Sequence, residues 1–187
     1  MSQSKTTDLC VLVGSIRADS YSLRIANLIA SIALSAGQVC EVIDPRALKL
    51  GIPHHPDDQG QATSNAGDLQ AIIKSTTAVI FVSPEYDGSY SAVSKVLIEH
   101  LGYPSALSGK FISIIGVASG RIGADRAIEH LRGVLIHIGG IVLTNYLSIA
   151  EVHKMFSPNG DVDRSFANLL ETLTLELIQA SKKASRV

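Results

Sequence analysis

Continuous apolar runs alternate with helical patterns along most of the chain, and this alternation restricts the possible folds more than any other feature. Residues 9–14 read LCVLVG, an unbroken apolar run that is typical of a parallel strand covered on both faces. The next segment, 22–35, repeats apolar residues at helical spacing and is followed by Gly37, which favours a helix end. Together they predict a strand followed by a helix.

The same pattern recurs and predicts five strands and five helices. The strands are predicted at 9–14, 39–43, 77–83, 110–118 and 141–144. The helices are predicted at 22–35, 68–74, 89–101, 124–138 and 162–185, with a long loop at 44–67. Such alternation is typical of an α/β fold with a doubly wound parallel sheet, and five strands favour the flavodoxin-like order 2-1-3-4-5. We expect a single domain over 1–187, with 1–7 as a flexible tail.

Charge and hydropathy exclude several classes of partner. Sixteen Lys and Arg against 17 Asp and Glu give a net charge of -1, so we expect no nucleic-acid partner. No apolar segment reaches the roughly 18 residues of a membrane span, so no membrane association is expected. The polar N-terminus lacks a signal-peptide core, and Cys10 and Cys40 fall within predicted strands. These features predict a cytoplasmic protein with two buried thiols.

Three loops are expected to carry the chemistry. Ligands of a doubly wound sheet bind beyond the carboxyl ends of the strands, where the strand order reverses. For the order 2-1-3-4-5, that place lies between the first and third strands. The loops to consider are therefore 14–22, 84–88 and 119–123.

The first of these loops has the composition of an anion site. Ser15, Arg17, Ser20 and Ser22 stand between an apolar strand and a helix start, where hydroxyls, backbone N–H groups and a guanidinium suit phosphate oxygens. Alternatively, Ser20 or Ser22 merely caps the helix, which leaves Arg17 unexplained. The loop lacks both the Walker A and the Rossmann glycine patterns. A phosphatase is disfavoured because Cys10 lies mid-strand, where a thiol is inert.

The second loop, 83–90, reads SPEYDGSY and is rich in turn-forming residues. On composition alone a structural turn is the more common interpretation. Its position beside a phosphate loop instead favours a surface for a flat polar ring.

Together these segments resemble the NADPH-dependent FMN reductase family of flavodoxin-like proteins. The segment Gly14-Ser15-x-Arg17-x-x-Ser20-x-Ser22 resembles the family's G-S-x-R-x-x-S-x-N phosphate loop. Residues 84–90 with Lys95 resemble its P-E-Y-N-G-S-Y…K segment, and 118–132 is similar to its third loop and following helix. The chain departs from the family at Ser22 and Asp87, both usually Asn, and at His100, where a Trp is common.

The resemblance implies a flavoenzyme that uses FMN, with NADPH or NADH as hydride donor. A quinone, another small-molecule acceptor or free flavin would then be reduced. The cofactor-binding residues implied are Ser15, Arg17, Ser20, Ser22, Pro84, Glu85, Tyr86, Asp87, Gly88, Ser119 and Gly120. No catalytic side chain is required because the flavin supplies the chemistry. Members of the family commonly form dimers or tetramers, so the resemblance also implies a homodimer or homotetramer.

Parts of the sequence are also compatible with two other functions and with one metal site. A non-enzymatic FMN-binding electron carrier or redox sensor fits the same loops, and a phosphate-ester hydrolase is disfavoured by the missing nucleophile. His54 and His55 stand beside Asp57 and Asp58, but adjacent histidines point apart and further ligands are lacking, so no metal is expected.

Overall fold

The computed structural model describes residues 7–48, 51–53 and 61–184. These ranges contain seven strands: β1 (Thr7–Val13), β2 (Cys40–Ile43), β3 (Thr76–Tyr86), β4 (Ser89–Tyr90), β5 (Phe111–Val117), β6 (Ile141–Val142) and β7 (Leu147–Ile149). Thr7 pairs with Thr76, so it belongs to the sheet and not to the predicted tail. The rest of that tail lies outside the described residues.

The sheet has the predicted doubly wound order. Its main path runs β2-β1-β3-β5-β6 with every pair parallel, which is 2-1-3-4-5 when these five strands are numbered along the chain. Two short strands were not predicted: β4 pairs antiparallel with β3, and β7 pairs parallel with β5. The order reverses between β1 and β3, as expected.

The predicted fifth strand is interrupted. Phe111 pairs with Ile141, whereas Ile115 pairs with Leu147, so four edge residues at 143–146 lie opposite Ser113 and Ile114 of β5. The chain therefore leaves the sheet after β6 and rejoins the same edge as β7.

The same ranges contain six α-helices: α1 (Tyr21–Ser35), α2 (Pro45–Leu48), α3 (Gln61–Ser75), α4 (Ala92–Glu99), α5 (Asp125–His137) and α6 (Arg164–Ala184). A short 3-10 helix spans Val152–Met155. Three predictions were wrong in detail. The loop predicted at 44–67 contains the short helix α2. The helix predicted at 68–74 begins at Gln61, in a polar segment without apolar periodicity, and the helix predicted from 89 begins at Ala92 because a hairpin occupies 86–90. None of the helices within 7–48, 51–53 and 61–184 is long and apolar enough to cross a membrane.

Apolar cores on both faces of the sheet explain the unbroken apolar run of β1. Leu9, Val11 and Val13 pack with α1 and α6, whereas Cys10 and Leu12 pack with α3, α4 and α5. All five side chains are fully buried. Burial of a large apolar side chain contributes about 1.5–3 kcal/mol, so β1 and β3 form a rigid centre whose carboxyl ends carry the loops considered next.

Candidate functional site

The loop between β1 and α1, called the phosphate loop (14–22), keeps polar groups available at a helix start. Ser20 is the N-cap of α1, where its Oγ accepts a hydrogen bond from the Leu23 N–H at 3.1 Å. Ser15 Oγ accepts from the Arg17 N–H at 3.3 Å. Both hydroxyls act as acceptors in these bonds, so each proton is left to donate to a ligand. Capping and ligand binding are therefore compatible at Ser20.

Backbone N–H groups of the same loop are also available to a ligand. Within the part of the chain that the structure describes, those of Ser15, Ile16 and Ala18 donate to no acceptor. They lie in the loop that leads into the N-terminus of α1, whose macrodipole favours an anion, and the exposed Arg17 is in the same loop. This donor set fits a phosphate dianion.

A second arginine, Arg46, donates a hydrogen bond to the main chain of the phosphate loop. Arg46 forms an ion pair with Asp44 at the end of β2, with Nη2 2.6 Å from Oδ2, and its Nη1 donates to the Ala18 carbonyl at 3.3 Å. The hydrogen bonds from Arg46 lower the pKa of the Asp44 carboxyl below its ordinary value. Sequence reasoning missed this pair because it lay in a predicted loop.

The segment Pro84–Gly88, called the ring loop, ends in a tight hairpin. Asp87 and Gly88 have φ of 52° and 74° and connect Tyr86 to Ser89, which pair across β3 and β4. Two consecutive residues in the left-handed region are typical of a type I′ turn, for which Asp-Gly is a favoured sequence. Asp87 is exposed at the tip of this turn.

The third loop follows β5 and forms backbone hydrogen bonds with the end of β7 and the residues after it. The Ala118 N–H donates to the Ile149 carbonyl at 2.8 Å, and the Val152 N–H donates to the Ala118 carbonyl at 3.0 Å. The Glu151 N–H donates to the Gly120 carbonyl at 2.9 Å. The short strand β7 therefore fixes Ser119 and Gly120 at the same rim as the other two loops.

All three loops open on one cavity of about 530 Å³, a volume typical of cofactor sites. Every predicted site residue lines it: Ser15, Arg17, Ser20, Ser22, Pro84, Glu85, Tyr86, Asp87, Gly88, Ser119 and Gly120. The other lining residues were not predicted individually. Within the expected loops they are Asp19, Tyr21, Arg121, Ile122 and Gly123, and outside those loops they are Val117, Ala118 and Val152. Most of these neighbour predicted residues, but Val152 gave no sequence signal because the interrupted edge strand brings it in.

The two cysteines do not form a nucleophilic site. Burial raises the pKa of the Cys10 thiol well above its ordinary value and that of Cys40 to about 12. Such thiols stay protonated at neutral pH, which argues against the phosphatase interpretation. Cys10 is fully buried as predicted, whereas Cys40 is only partly buried. His54, His55, Asp57 and Asp58 lie outside the described residues.

Fold and cavity define the class: a doubly wound, flavodoxin-like domain with a cavity at its topological switch point, lined by the three loops. The family model described as NADPH-dependent FMN reductase matches residues 7–154. The chain belongs to this family and is thus an NAD(P)H-dependent oxidoreductase that uses FMN, which decides between the enzyme and the carrier left open by the sequence.

Individual relatives agree with this assignment. The chain is 32% identical to a 2-hydroxy-1,4-benzoquinone reductase of a Burkholderia species, over 82% of this chain and 84% of the relative. It is 28% identical to a quinone reductase of Pseudomonas putida, over 72% and 73% of the two chains. FerB, a flavoenzyme NAD(P)H:acceptor oxidoreductase from Paracoccus denitrificans, superposes with a TM-score of 0.75 at 25% identity, over 95% of this chain and 98% of that one.

Proposed function

We propose that the chain holds FMN with its phosphate in the phosphate loop and its ring between the ring loop and Ser119–Gly120, and that it transfers electrons from NAD(P)H to a quinone. The observation that carries this proposal is the shared cavity: the phosphate loop and the ring loop open on one space, where β1 and β3 end. A ligand with a phosphate at one end and a planar heterocycle at the other fits that arrangement.

The phosphate end is supported by donors that the fold leaves unused. Ser15, Arg17 and Ser20 all line the cavity. They offer the Ser15 N–H, which is unpaired among the described residues, the hydroxyls of Ser15 and Ser20, and the Arg17 guanidinium. A charge-assisted hydrogen bond contributes about 1.5–3 kcal/mol, so Arg17 would contribute strongly to affinity for the phosphate.

The ring end is supported by backbone geometry. The hairpin at Asp87 and Gly88 presents peptide groups at the cavity wall, and the Glu85 side chain is engaged by α5, so polar contacts to a ring would come chiefly from the main chain. When bound, FMN supplies the hydride chemistry, accepting from a nicotinamide and donating to the acceptor. The chain itself would hold the ring in place and present N–H dipoles to the negative charge of its reduced form.

The acceptor class is supported by the rim of the cavity and by the relatives. Ile16, Tyr86 and Ile122 line or flank the opening, and Ile122 is 90% exposed. Apolar and aromatic side chains around a cofactor favour a flat, apolar acceptor. Two relatives are named as reductases of quinones, which supports a quinone for this chain.

We further propose that the chain works as a homodimer or homotetramer in the cytoplasm. The exposed side chains of Ile16, Tyr86 and Ile122 would be covered by a second copy near the cofactor. Cys40 pairs with Leu9 and so lies on the opposite sheet face from Cys10, which keeps the two thiols from forming a disulfide and suits a reducing compartment. Light scattering of the purified chain tests the assembly, and a purely monomeric species contradicts it.

The experiment that tests the proposed function is a flavin titration followed by anaerobic reduction. We expect the purified chain to take up FMN, NADPH or NADH to bleach the flavin spectrum, and a benzoquinone to restore it. A second portion without pyridine nucleotide controls for photoreduction. A chain that binds no FMN, or bound FMN that neither nucleotide bleaches, contradicts the proposal.

A further inference from the structure

Three buried serines lie between the phosphate loop and the ring loop, outside the cavity lining. Ser83 is near the end of β3, Ser91 is the N-cap of α4, and Ser94 is in the first turn of that helix. We call them the serine cluster. Each is at most 1% exposed, so none contacts solvent or a bound ligand directly.

The hydroxyls of the serine cluster reach the main chain of both loops. Ser91 Oγ donates to the Gly14 carbonyl at 2.5 Å, where the phosphate loop begins. Ser83 Oγ donates to the Pro84 carbonyl at 3.1 Å, where the ring loop begins. Ser94 Oγ donates to Ser83 Oγ at 2.9 Å and so joins the two halves.

The hydrogen-bond acceptors of the cluster are used as well. Ser91 Oγ accepts from the Ser94 N–H at 3.1 Å, which caps α4, and Ser83 Oγ accepts from the Ser91 N–H at 3.3 Å. A buried network in which every member is satisfied fixes one geometry, because rotation of any hydroxyl leaves a buried polar group unpaired. The cluster is therefore a rigid connection between the two loops.

Close packing shows that the phosphate loop is built against this connection. A Cβ added at Gly14 would collide with Ser94 Oγ and would lie 3.1 Å from both Ser83 Cα and the Val82 carbonyl oxygen. Gly14 also donates its own N–H to the Val82 carbonyl at 2.8 Å. The peptide between Gly14 and Ser15 is held on one side by β3 and α4.

The Ser91 bond sets the direction of the next amide. In a trans peptide the carbonyl and the following N–H point in opposite directions. Since the Gly14 carbonyl points to Ser91, the Ser15 N–H points away from α4, and within the described residues it has no acceptor. Ser15 itself lines the cavity.

We propose that the serine cluster positions the phosphate loop for FMN, with Ser91 as the residue that orients the Ser15 N–H toward the phosphate. This proposal rests on the proposed placement of FMN. Ser91 is a positioning residue because it acts through Gly14 and Ser15. Loss of its hydroxyl leaves the Gly14 carbonyl unpaired and frees the peptide to rotate, which weakens binding of the phosphate and leaves binding of the ring intact.

The test compares FMN with riboflavin, which lacks the phosphate, by fluorescence titration of Ser91→Ala. We expect the FMN affinity to fall about two- to tenfold, as for loss of one neutral hydrogen bond, and the riboflavin affinity to stay within about twofold. The conservative variant Ser91→Thr retains a hydroxyl and should restore the preference for FMN. Ser113→Ala, which removes a buried serine hydroxyl from β5, is the matched control and should not change the ratio.

A second variant separates loss of the hydroxyl from loss of the α4 N-cap. Ser91→Gly removes the hydroxyl, but glycine is a nearly equivalent N-cap, so the fold is retained even if Ser91→Ala is unstable. Its FMN-to-riboflavin ratio should fall like that of the alanine variant. An unchanged ratio in a folded Ser91 variant overturns the positioning role while FMN binding by the parent chain stands. A parent chain that binds no FMN overturns the proposed function and this inference together.

Discussion

The carboxylate of Glu85 accepts a hydrogen bond from the backbone N–H of Ala127, with Oε2 3.1 Å from the nitrogen. Glu85 belongs to the ring loop, and Ala127 is in the first turn of α5. The N-cap residue of that helix, Ala124, has no side-chain oxygen to cap it. Glu85 therefore supplies the missing cap from another element, and in doing so it joins one wall of the cavity to a helix.

Replacement of Glu85 tests this cap. We expect Glu85→Ala to lower the free energy of unfolding by about 0.5–2 kcal/mol, the usual cost of losing an N-terminal cap. Glu85→Gln keeps an acceptor oxygen and should lose only the charge–dipole part, about 0.3–1 kcal/mol. Urea unfolding of the three proteins measures both differences. Equal stabilities for all three would show that the contact does not stabilise α5.

A second prediction concerns Asp87, where the family motif has Asn. Because Asn-Gly and Asp-Gly both suit the type I′ turn, Asp87→Asn should leave the fold unchanged. It removes a negative charge beside the proposed ring and should raise the two-electron midpoint potential of bound FMN by tens of millivolts, corresponding to about 1 kcal/mol. Potentiometric titration checks this, with Glu171→Gln on the exposed face of α6 as the control. A potential equal to that of the parent chain would mean that the carboxylate does not act on the ring.

The Asp44–Arg46 pair predicts an acid-sensitive contribution to stability. In the folded chain the pKa of the Asp44 carboxyl lies below its ordinary value near 3.8. The stabilisation from the ion pair is therefore fully present above that value, and it is lost as the pH falls through the folded pKa. We expect Asp44→Asn to be less stable than the parent at pH 7, with the difference narrowing below about pH 4. Thermal unfolding across this range measures it. A difference that is independent of pH would assign the effect to packing and not to charge.

Replacement of Ser113 by alanine is expected to stabilise the chain. Its hydroxyl is fully buried in β5, opposite the interruption of the edge strand, and it has no hydrogen-bond partner among the described residues. Ser113→Ala removes this unpaired group and should raise the free energy of unfolding by about 1 kcal/mol. The matched change Ser83→Ala removes a bonded hydroxyl and should destabilise the chain. A loss of stability in Ser113→Ala would mean that the hydroxyl is bonded after all.

Much of the fold could be predicted because its signals are local. The run at Leu9–Val13 is buried on both faces, so every residue is apolar, and a run of that kind indicates a central parallel strand. The alternation of strands and helices then fixes the order of the sheet and the rim at which the loops gather. Composition and that rim indicated three loops that share one cavity, whereas the individual site residues were implied by the family resemblance.

The remaining features depend on contacts that a linear pattern does not contain. Strand β7 has three residues, too few for a periodic signal, and it exists because β5 offers an unpaired edge beyond Ile114. The hairpin at β4 had a signal in Asp87-Gly88, but its second strand is only two residues long. Ser91 and Gly14 are 77 residues apart, so their hydrogen bond follows only once β1 and β3 are known to be neighbours.

The central claim, that the phosphate loop binds the FMN phosphate, is tested most directly by the affinities of Arg17→Ala for FMN and riboflavin. We expect the FMN affinity to fall about 10- to 150-fold, equivalent to about 1.5–3 kcal/mol, while the riboflavin affinity stays unchanged. Arg24→Ala, in the helix α1 that follows the loop but outside the cavity lining, should bind both flavins like the parent chain. An unchanged FMN affinity in Arg17→Ala, or an equal loss for both flavins, would contradict the account.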